Sequence, residues 1–134
     1  MIDSVSINWV AIVLAGVVNM LLGMAWYAPQ VFGKTWMKLM NEKGEMKPDP
    51  IKLVSMFVIA MLIGLFLTHI LVYTHAVDFW GGLLVGIWTG FGLVALPTAS
   101  GALASNTPWK LWAINAGYWV VSMGIMGGIL AAMR

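Results

Sequence analysis

Four long apolar runs, separated by short polar segments, account for most of this 134-residue chain. They extend over residues 7–27, 51–73, 79–103 and 109–133. An α-helix needs about 20 apolar residues to cross the hydrocarbon core of a bilayer, so each run is long enough to span it. The pattern predicts an all-α membrane protein, with four transmembrane helices in a single domain over residues 1–134. We expect the first run to be retained as a span, because no Lys or Arg precedes it as in a secretion signal.

The connection between the first two runs predicts a further, shorter helix. Pro29 cannot continue a helical hydrogen-bond ladder, so the first span should end close to Tyr27. Beyond it, apolar residues recur with helical spacing on a different face from Lys34 and Lys38. These apolar residues are Phe32, Trp36, Leu39 and Met40. The segment from about residue 30 to 41 is therefore predicted to be an amphipathic helix at the membrane interface.

Composition excludes a water-soluble domain, because 61% of the residues are apolar and only 9% are charged. The four spans leave no segment large enough for a soluble catalytic domain, and the chain has no cysteine for thiol or iron–sulfur chemistry. We therefore predict no enzyme activity, no catalytic residues, no cofactor and no metal. The net charge of +2 is too small to indicate nucleic acid as a partner.

The distribution of charge predicts the orientation of the protein. Six of the seven basic residues flank the first and third connections, and only Arg134 belongs to the other side. Since basic residues concentrate on the cytoplasmic side of membrane proteins, these connections are predicted to be cytoplasmic and both termini to be outside. The expected location is the plasma membrane, which is the inner membrane of a bacterium.

Small residues recur four apart in the third and fourth spans, as they do in closely packed membrane helices. The candidate packing residues are Gly82, Gly86, Gly90, Gly124 and Gly128. We hypothesise that one of these ladders forms an interface between copies of the chain, giving a homo-oligomer. The alternative is that the ladders pack helices within one chain.

Uncharged polar residues within the spans are candidates for a polar bundle interior. They are Asn19, Thr89 and Asn115, and the two asparagines are expected to bond across helices. No Asp, Glu, Lys or Arg lies deep in a predicted span, which disfavours proton-coupled transport. A small pore or transporter for an ion or small solute, lined by these three residues, remains the alternative function.

Two blocks of the sequence resemble a known family. Residues 23–36 read G-M-A-W-Y-A-P-Q-V-F-G-K-T-W, and residues 108–119 read P-W-K-L-W-A-I-N-A-G-Y-W. They look like the recurring blocks of a family of small, mostly bacterial, four-helix membrane proteins of unknown function. The resemblance implies the fold and highlights several positions without implying a reaction. These positions are Gly23, Trp26, Tyr27, Pro29, Phe32, Gly33, Lys34, Trp36, Asn115, Gly117 and Tyr118.

Both blocks lie on the cytoplasmic side of the predicted topology, so we expect them to touch. The predicted cluster contains Trp26, Tyr27, Pro29, Phe32, Lys34, Trp36, Trp109, Trp112 and Asn115. It has two interpretations: a structural lock for the surface helix, or a site for an anionic lipid or a membrane partner. Our leading hypothesis is a non-enzymatic membrane protein that contacts the bilayer, associates with itself and binds lipid or a partner at this cluster.

Overall fold

The computed structural model describes residues 5–40 and 49–134, and all regular elements within these ranges are helical. The helices are α1 (Trp9–Trp26), α2 (Lys34–Leu39), α3 (Pro50–Tyr73), α4 (Phe79–Gly90), α5 (Leu96–Ala104) and α6 (Trp109–Ala132). A π-helical turn, Pro29–Gly33, precedes α2, and another, Phe91–Ala95, joins α4 to α5. Four stretches are long and apolar enough to span a membrane, namely α1, α3, α6 and the continuous stretch Phe79–Ala104. The predicted all-α fold, with a shorter helix between the first two spans, is confirmed.

The first span ends where Pro29 predicts, and the chain then re-enters a helix almost at once. The π-helical turn and α2 together cover most of the predicted segment from 30 to 41. Residue Asn41 of that prediction lies outside the described residues.

Three helices begin with a side-chain cap. Asn8 Oδ1 accepts from the backbone N–H of Ala11 at 3.2 Å, and Asp78 Oδ1 accepts from that of Gly81 at 3.0 Å. Asp49 does the same for α3, directly before a proline in the first helical position. Each cap satisfies an N–H group that has no partner within its own helix.

The second and third connections are tight because one residue in each has a left-handed backbone. His75 has φ 57° and Asn106 has φ 54°. The following N–H then reaches back into the helix, from Ala76 to the Leu71 carbonyl at 3.0 Å and from Thr107 to the Ala102 carbonyl at 2.9 Å. This is the Schellman way of ending a helix, and it brings the next helix back antiparallel after a few residues.

Helix α6 forms the axis of the bundle. Of its 24 residues, 12 are buried, against five of 18 in α1 and five of 24 in α3. It contacts α1, α3 and α4, and its most extensive contact is with α4. The outward faces of the three surrounding spans are apolar, with residues such as Phe66 and Trp88 exposed. Since lipid tails are apolar, such faces suit a membrane-embedded protein.

Glycines let α4 and α6 approach each other until their backbones touch. A methyl group on Gly82 would overlap the carbonyl oxygen of Gly127, and one on Gly86 would overlap that of Met123. A methyl group on Gly124 would lie 2.8 Å from Ile87 Cγ1. Gly90 and Gly128 also face neighbours across this contact. All five predicted packing glycines thus serve one contact within the chain.

This arrangement corrects one part of the sequence hypothesis. The sequence hypothesis places an interface between copies of the chain on the glycine ladders of the third or fourth span. Those glycines are occupied by the contact between α4 and α6, because their Cα atoms face the backbone of the partner helix. An interface between copies needs a different surface.

The end of the bundle that holds both described termini is closed by polar contacts to backbone carbonyls. Asn8 Nδ2 donates to the Met133 carbonyl at 2.8 Å, which ties the start of α1 to the end of α6. The Arg134 guanidinium donates to the carbonyls of Leu71 and Ala76, at the end of α3. A cation there complements the negative end of the helix dipole. We call the opposite end, which carries Lys34, Lys38, Lys52 and Lys110, the lysine end.

Candidate functional site at the lysine end

The two sequence blocks meet at the lysine end through two hydrogen bonds. Tyr27 donates its hydroxyl to Asn115 Oδ1 at 2.7 Å. Trp26 donates its indole N–H to the Ile114 carbonyl at 3.0 Å. Both bonds join the end of α1 to α6, across 88 residues of sequence. Each aromatic side chain therefore has its polar atom satisfied while its ring lies in an apolar setting.

Around these bonds, five aromatic rings form a cluster that we call the aromatic clasp. Its members are Trp26, Tyr27, Phe32, Trp36 and Tyr118. Ring centroids are 4.9 Å apart for Trp26 and Phe32, and 5.9 Å apart for Tyr27 and Trp36. Tyr118 lies 5.6 Å from Tyr27 and 6.4 Å from Trp26. These separations are within the range of favourable aromatic pairs, so the clasp ties α1, the π-helical turn, α2 and α6 together.

Three glycines of the two blocks make room for the clasp. A methyl group on Gly33 would overlap the Tyr27 carbonyl oxygen, at the point where the turn folds back on α1. A methyl group on Gly23 would lie 3.1 Å from the Tyr118 hydroxyl, and one on Gly117 would lie 3.3 Å from the Trp26 ring. Glycine is therefore required at position 33, while at Gly23 and Gly117 a larger residue would displace the neighbouring ring slightly.

The protonation of Tyr27, the residue after the first span, is also set by this packing. Burial, and to a lesser extent the neighbouring Tyr118, raise the pKa of Tyr27 to about 12. The phenol, which is neutral at physiological pH in any case, therefore keeps the proton that it donates to Asn115 to a more alkaline pH than an exposed tyrosine does.

The described lysines of this end are all exposed. Lys34 and Lys38 lie on α2, Lys52 lies in the first turns of α3, and Lys110 lies at the start of α6. The hydrogen-bonding atoms of Trp26 and Tyr27 are already paired within the protein. The chemistry that this end offers to a ligand is therefore that of ammonium groups, which bind phosphate or carboxylate oxygens.

The predicted cluster needs correction at three positions. Trp109 is 71% exposed, and Pro29 is exposed on the turn, so neither belongs to the clasp. Trp112 turns to α5, where its indole N–H contacts the Ala95 carbonyl at 3.1 Å and Thr98 Oγ1 at 3.2 Å. The physical reason is the helical spacing of α6. At about 100° per residue, Trp109 lies on the opposite side of the helix from Tyr118.

Tyr118 was highlighted by the resemblance but left out of our predicted cluster. It follows Asn115 by three residues, so it shares a face of α6 with it. This spacing was the signal that could have identified it.

The predicted polar interior separates into three environments. Asn19 is buried and donates to the hydroxyl of Ser122, which is also buried, and Tyr118 donates to the Asn19 carbonyl at 2.8 Å. Asn115 lies at the lysine end with Tyr27. Thr89 donates to carbonyls of its own helix, those of Val85 at 2.9 Å and Gly86 at 3.0 Å. Among the described residues, no hydrogen bond connects Thr89 with either asparagine.

Comparison with known proteins identifies the family. Its model, described as a protein of unknown function, DUF1761, matches residues 10–131. No curated protein and no solved structure matches the chain. The match covers both blocks and, except for Trp9 and Ala132, all four membrane-spanning stretches. The chain therefore belongs to the DUF1761 family of proteins of unknown function.

Proposed function

We propose that this protein is a non-enzymatic component of the bacterial plasma membrane that binds anionic lipid at its lysine end. The observation that carries the proposal is the placement of Lys34 and Lys38. Both are exposed on α2, which the aromatic clasp attaches to the end of the bundle through Trp36. In this proposal the lysine end faces the cytoplasmic leaflet and both termini are outside.

Charge supports lipid binding at this end. The segments that connect the spans there contain six lysines and three carboxylates, whereas the other end has one arginine and two aspartates. A lysine near an anionic membrane surface contributes about 1 kcal/mol of attraction. The lysine end therefore has the sign of charge that suits the anionic headgroups of the inner leaflet.

The clasp gives the lysines a defined position. The helix that carries Lys34 and Lys38 is short, and a helix of this length is not stable by itself in water. Packing of Phe32 on Trp26 and of Trp36 on Tyr27 supplies the missing stabilisation. Lys34 and Lys38 are four residues apart and so share one face of this helix, which suits the binding of one phosphate by both ammonium groups.

Native mass spectrometry of the purified chain tests the lipid site directly. Wild type should retain phosphatidylglycerol in preference to phosphatidylcholine, and the double substitution Lys34→Ala and Lys38→Ala should abolish the preference. The matched control, Lys34→Arg with Lys38→Arg, keeps the charge and should keep the preference. Identical lipid retention by the wild type and the alanine variant would contradict the proposal.

Self-association is the second part of the proposal. The glycine ladders of α4 and α6 already pack against each other within the chain. A contact between copies would therefore use the outward apolar faces of the helices. Of these, α5 has no buried residue and leaves open space beside Gly101. Crosslinking in native membranes should yield a dimer or a higher species. Monomer as the sole product would contradict this part.

The alternative of a pore through one chain has less support. Helix α6 occupies the axis of the bundle, and side chains such as Met126 and Leu130 fill the space around it. We accordingly expect no flux of small ions or solutes from liposomes that contain the protein. Flux above that of empty liposomes would favour the pore.

A further inference from the structure

A cleft of about 280 Å³ lies between α5 and α6, on a different side of α6 from the centre of the aromatic clasp. We call the end of the cleft that lies furthest from the third connection its deep end; Val94 and Trp119 line it. The opposite end, beside the third connection, is its mouth, which Ser105 and Thr107 line. Thr98 and Asn115 lie between these two ends. The cleft lies beyond the π-helical turn Phe91–Ala95, where the chain continues into α5, which contacts α6 much less than α4 does and has no buried residue.

Polarity changes along the cleft in the same direction as it does across a membrane leaflet. Apolar groups line the deep end, while the mouth has a pair of hydroxyls, Ser105 and Thr107, 2.8 Å apart. Trp119 lies ten residues into α6 from its start at Trp109. At about 1.5 Å per residue this is roughly 15 Å, half the thickness of the hydrocarbon core. The cleft therefore extends from the interface to about the middle of the membrane.

Two hydrogen-bond donors of cleft residues, Asn115 Nδ2 and Trp119 Nε1, have no partner among the described residues. Asn115 accepts from Tyr27 through Oδ1, and its Nδ2 has no hydrogen-bond partner among the described residues. Three further donors are in use: Trp112 Nε1 on Ala95, Thr98 Oγ1 on Val94 and Ser105 Oγ on Gly101. Trp119 lies about one helical turn further into α6 than Asn115, so Asn115 is the unpaired donor nearer the membrane interface. An amide N–H₂ inside a membrane protein gains from an acceptor oxygen.

The charge of the cleft defines the class of ligand. No charged side chain belongs to its lining, so nothing there compensates a phosphate or a carboxylate. The ligand portion that fits is neutral, with an acceptor oxygen near Asn115 and an apolar chain beyond it. An ester-linked acyl chain has this combination.

We propose that the cleft binds one acyl ester chain of a membrane lipid. The ester carbonyl accepts from Asn115 Nδ2, the chain lies along Val94 and Trp119, and the glycerol is at the mouth beside Ser105 and Thr107. The proposal deepens the lipid-binding function above and rests on it for the membrane setting. It differs in that this site recognises the ester group of the lipid and not the charge of its headgroup, so a zwitterionic lipid binds as well.

A photoreactive lipid tests occupancy of the cleft. The full chain is placed in nanodiscs that contain a trace of phosphatidylcholine with a diazirine in one acyl chain, and the labelled peptides are identified after illumination. Wild type should be labelled on α5 and α6 at cleft residues. Ala102→Leu fills the cleft and should reduce this labelling about fivefold, which corresponds to about 1 kcal/mol. Ala104→Leu, an exposed position of the same helix, is the matched control and should leave it unchanged.

A second comparison isolates the Asn115 donor. The single variant Tyr27→Phe and the double variant Tyr27→Phe with Asn115→Leu both lack the Tyr27–Asn115 bond, but only the double variant lacks the amide. Unlabelled ester phosphatidylcholine should displace the probe from Tyr27→Phe better than its ether analogue does. The double variant should not distinguish the two competitors. Thermal unfolding of each variant in detergent verifies that it is folded.

The outcomes separate this proposal from the anionic-lipid function. Equal labelling of Ala102→Leu and Ala104→Leu, or equal competition by ester and ether lipids in Tyr27→Phe, would overturn the acyl ester site. Loss of labelling in the variant with Lys34→Ala and Lys38→Ala would also overturn it, since the lipid would then be held by charge. Unchanged labelling in that lysine variant supports the cleft even if its phosphatidylglycerol preference proves absent.

Discussion

The hydroxyl of Tyr27 donates to Asn115 Oδ1 at 2.7 Å, and this bond joins the two sequence blocks that characterise the chain. Tyr27 follows the first span, and Asn115 lies in the second turn of α6. Because the two residues are 88 positions apart, the bond links the end of the first span to the beginning of the fourth. It also leaves the amide N–H₂ of Asn115 available to the cleft on the other side.

The first prediction concerns this bond. Tyr27→Phe removes the hydroxyl and keeps the ring, so we expect a loss of stability of about 0.6 kcal/mol, the average for hydrogen bonds between membrane helices, and no more than about 1.7 kcal/mol. Thermal unfolding in mild detergent measures the change. Trp109→Phe, an exposed aromatic position at the same end, is the control and should have no effect. Equal effects of the two substitutions would show that the bond does not stabilise the clasp.

The second prediction concerns the buried pair Asn19 and Ser122. Ser122→Ala leaves the Asn19 amide with the sulfur of Met126, at 3.7 Å, as its remaining side-chain partner. An unpaired buried amide costs about 1–3 kcal/mol, so this single variant should be clearly less stable than the wild type. The double variant with Asn19→Leu should recover part of the loss, because no polar group is then unpaired. A double-mutant cycle measures the coupling, and simple additivity of the two effects would contradict it.

The third prediction distinguishes two kinds of glycine. Gly86→Ala should force α4 away from α6, since the new methyl group overlaps the Met123 carbonyl, at a cost of about 1–3 kcal/mol or more. Gly101→Ala meets nothing within 4 Å and lies inside a helix, so it should stabilise the protein by about 0.5–1 kcal/mol. Thermal unfolding of the two variants gives the comparison. A stable Gly86→Ala protein would exclude the close contact between the helices.

The fourth prediction tests the orientation. The chain has no cysteine, so single substitutions provide unique labelling sites. A membrane-impermeant maleimide applied to intact bacterial cells should label Val77→Cys, in the second connection, and should not label Ser105→Cys, in the third. Lysis of the cells should make Ser105→Cys reactive. The reverse pattern would place the lysine end outside.

Local features of the fold were predictable because their causes are local. The lengths of the apolar runs determine how many helices are long enough to span a membrane. The end of α1 follows from Pro29, which lacks the N–H that a helix needs. The start of α3 follows similarly from Asp49 and Pro50, a capping side chain before a residue that suits the first helical position.

The aromatic clasp was predictable only in part. Trp26, Tyr27 and Phe32 belong to it, as the first sequence block indicates. Their partners on α6 depend on how that helix is rotated about its own axis, which the apolar pattern leaves open because nearly the whole circumference of α6 is apolar. Trp112 consequently faces α5, and Tyr118 faces the clasp.

By itself, the sequence of this DUF1761 protein determined four membrane-spanning helices, the break at Pro29, the short helix after it and the glycine ladders. These depend on hydropathy, proline and spacing, which act within a few helical turns. Only the tertiary structure decided that Gly82 and Gly86 serve a contact inside the chain, and that Tyr27 and Tyr118 meet. It alone revealed the cleft between α5 and α6. A cavity depends on the distance between two helices, and the spacing of residues within either helix does not determine that distance.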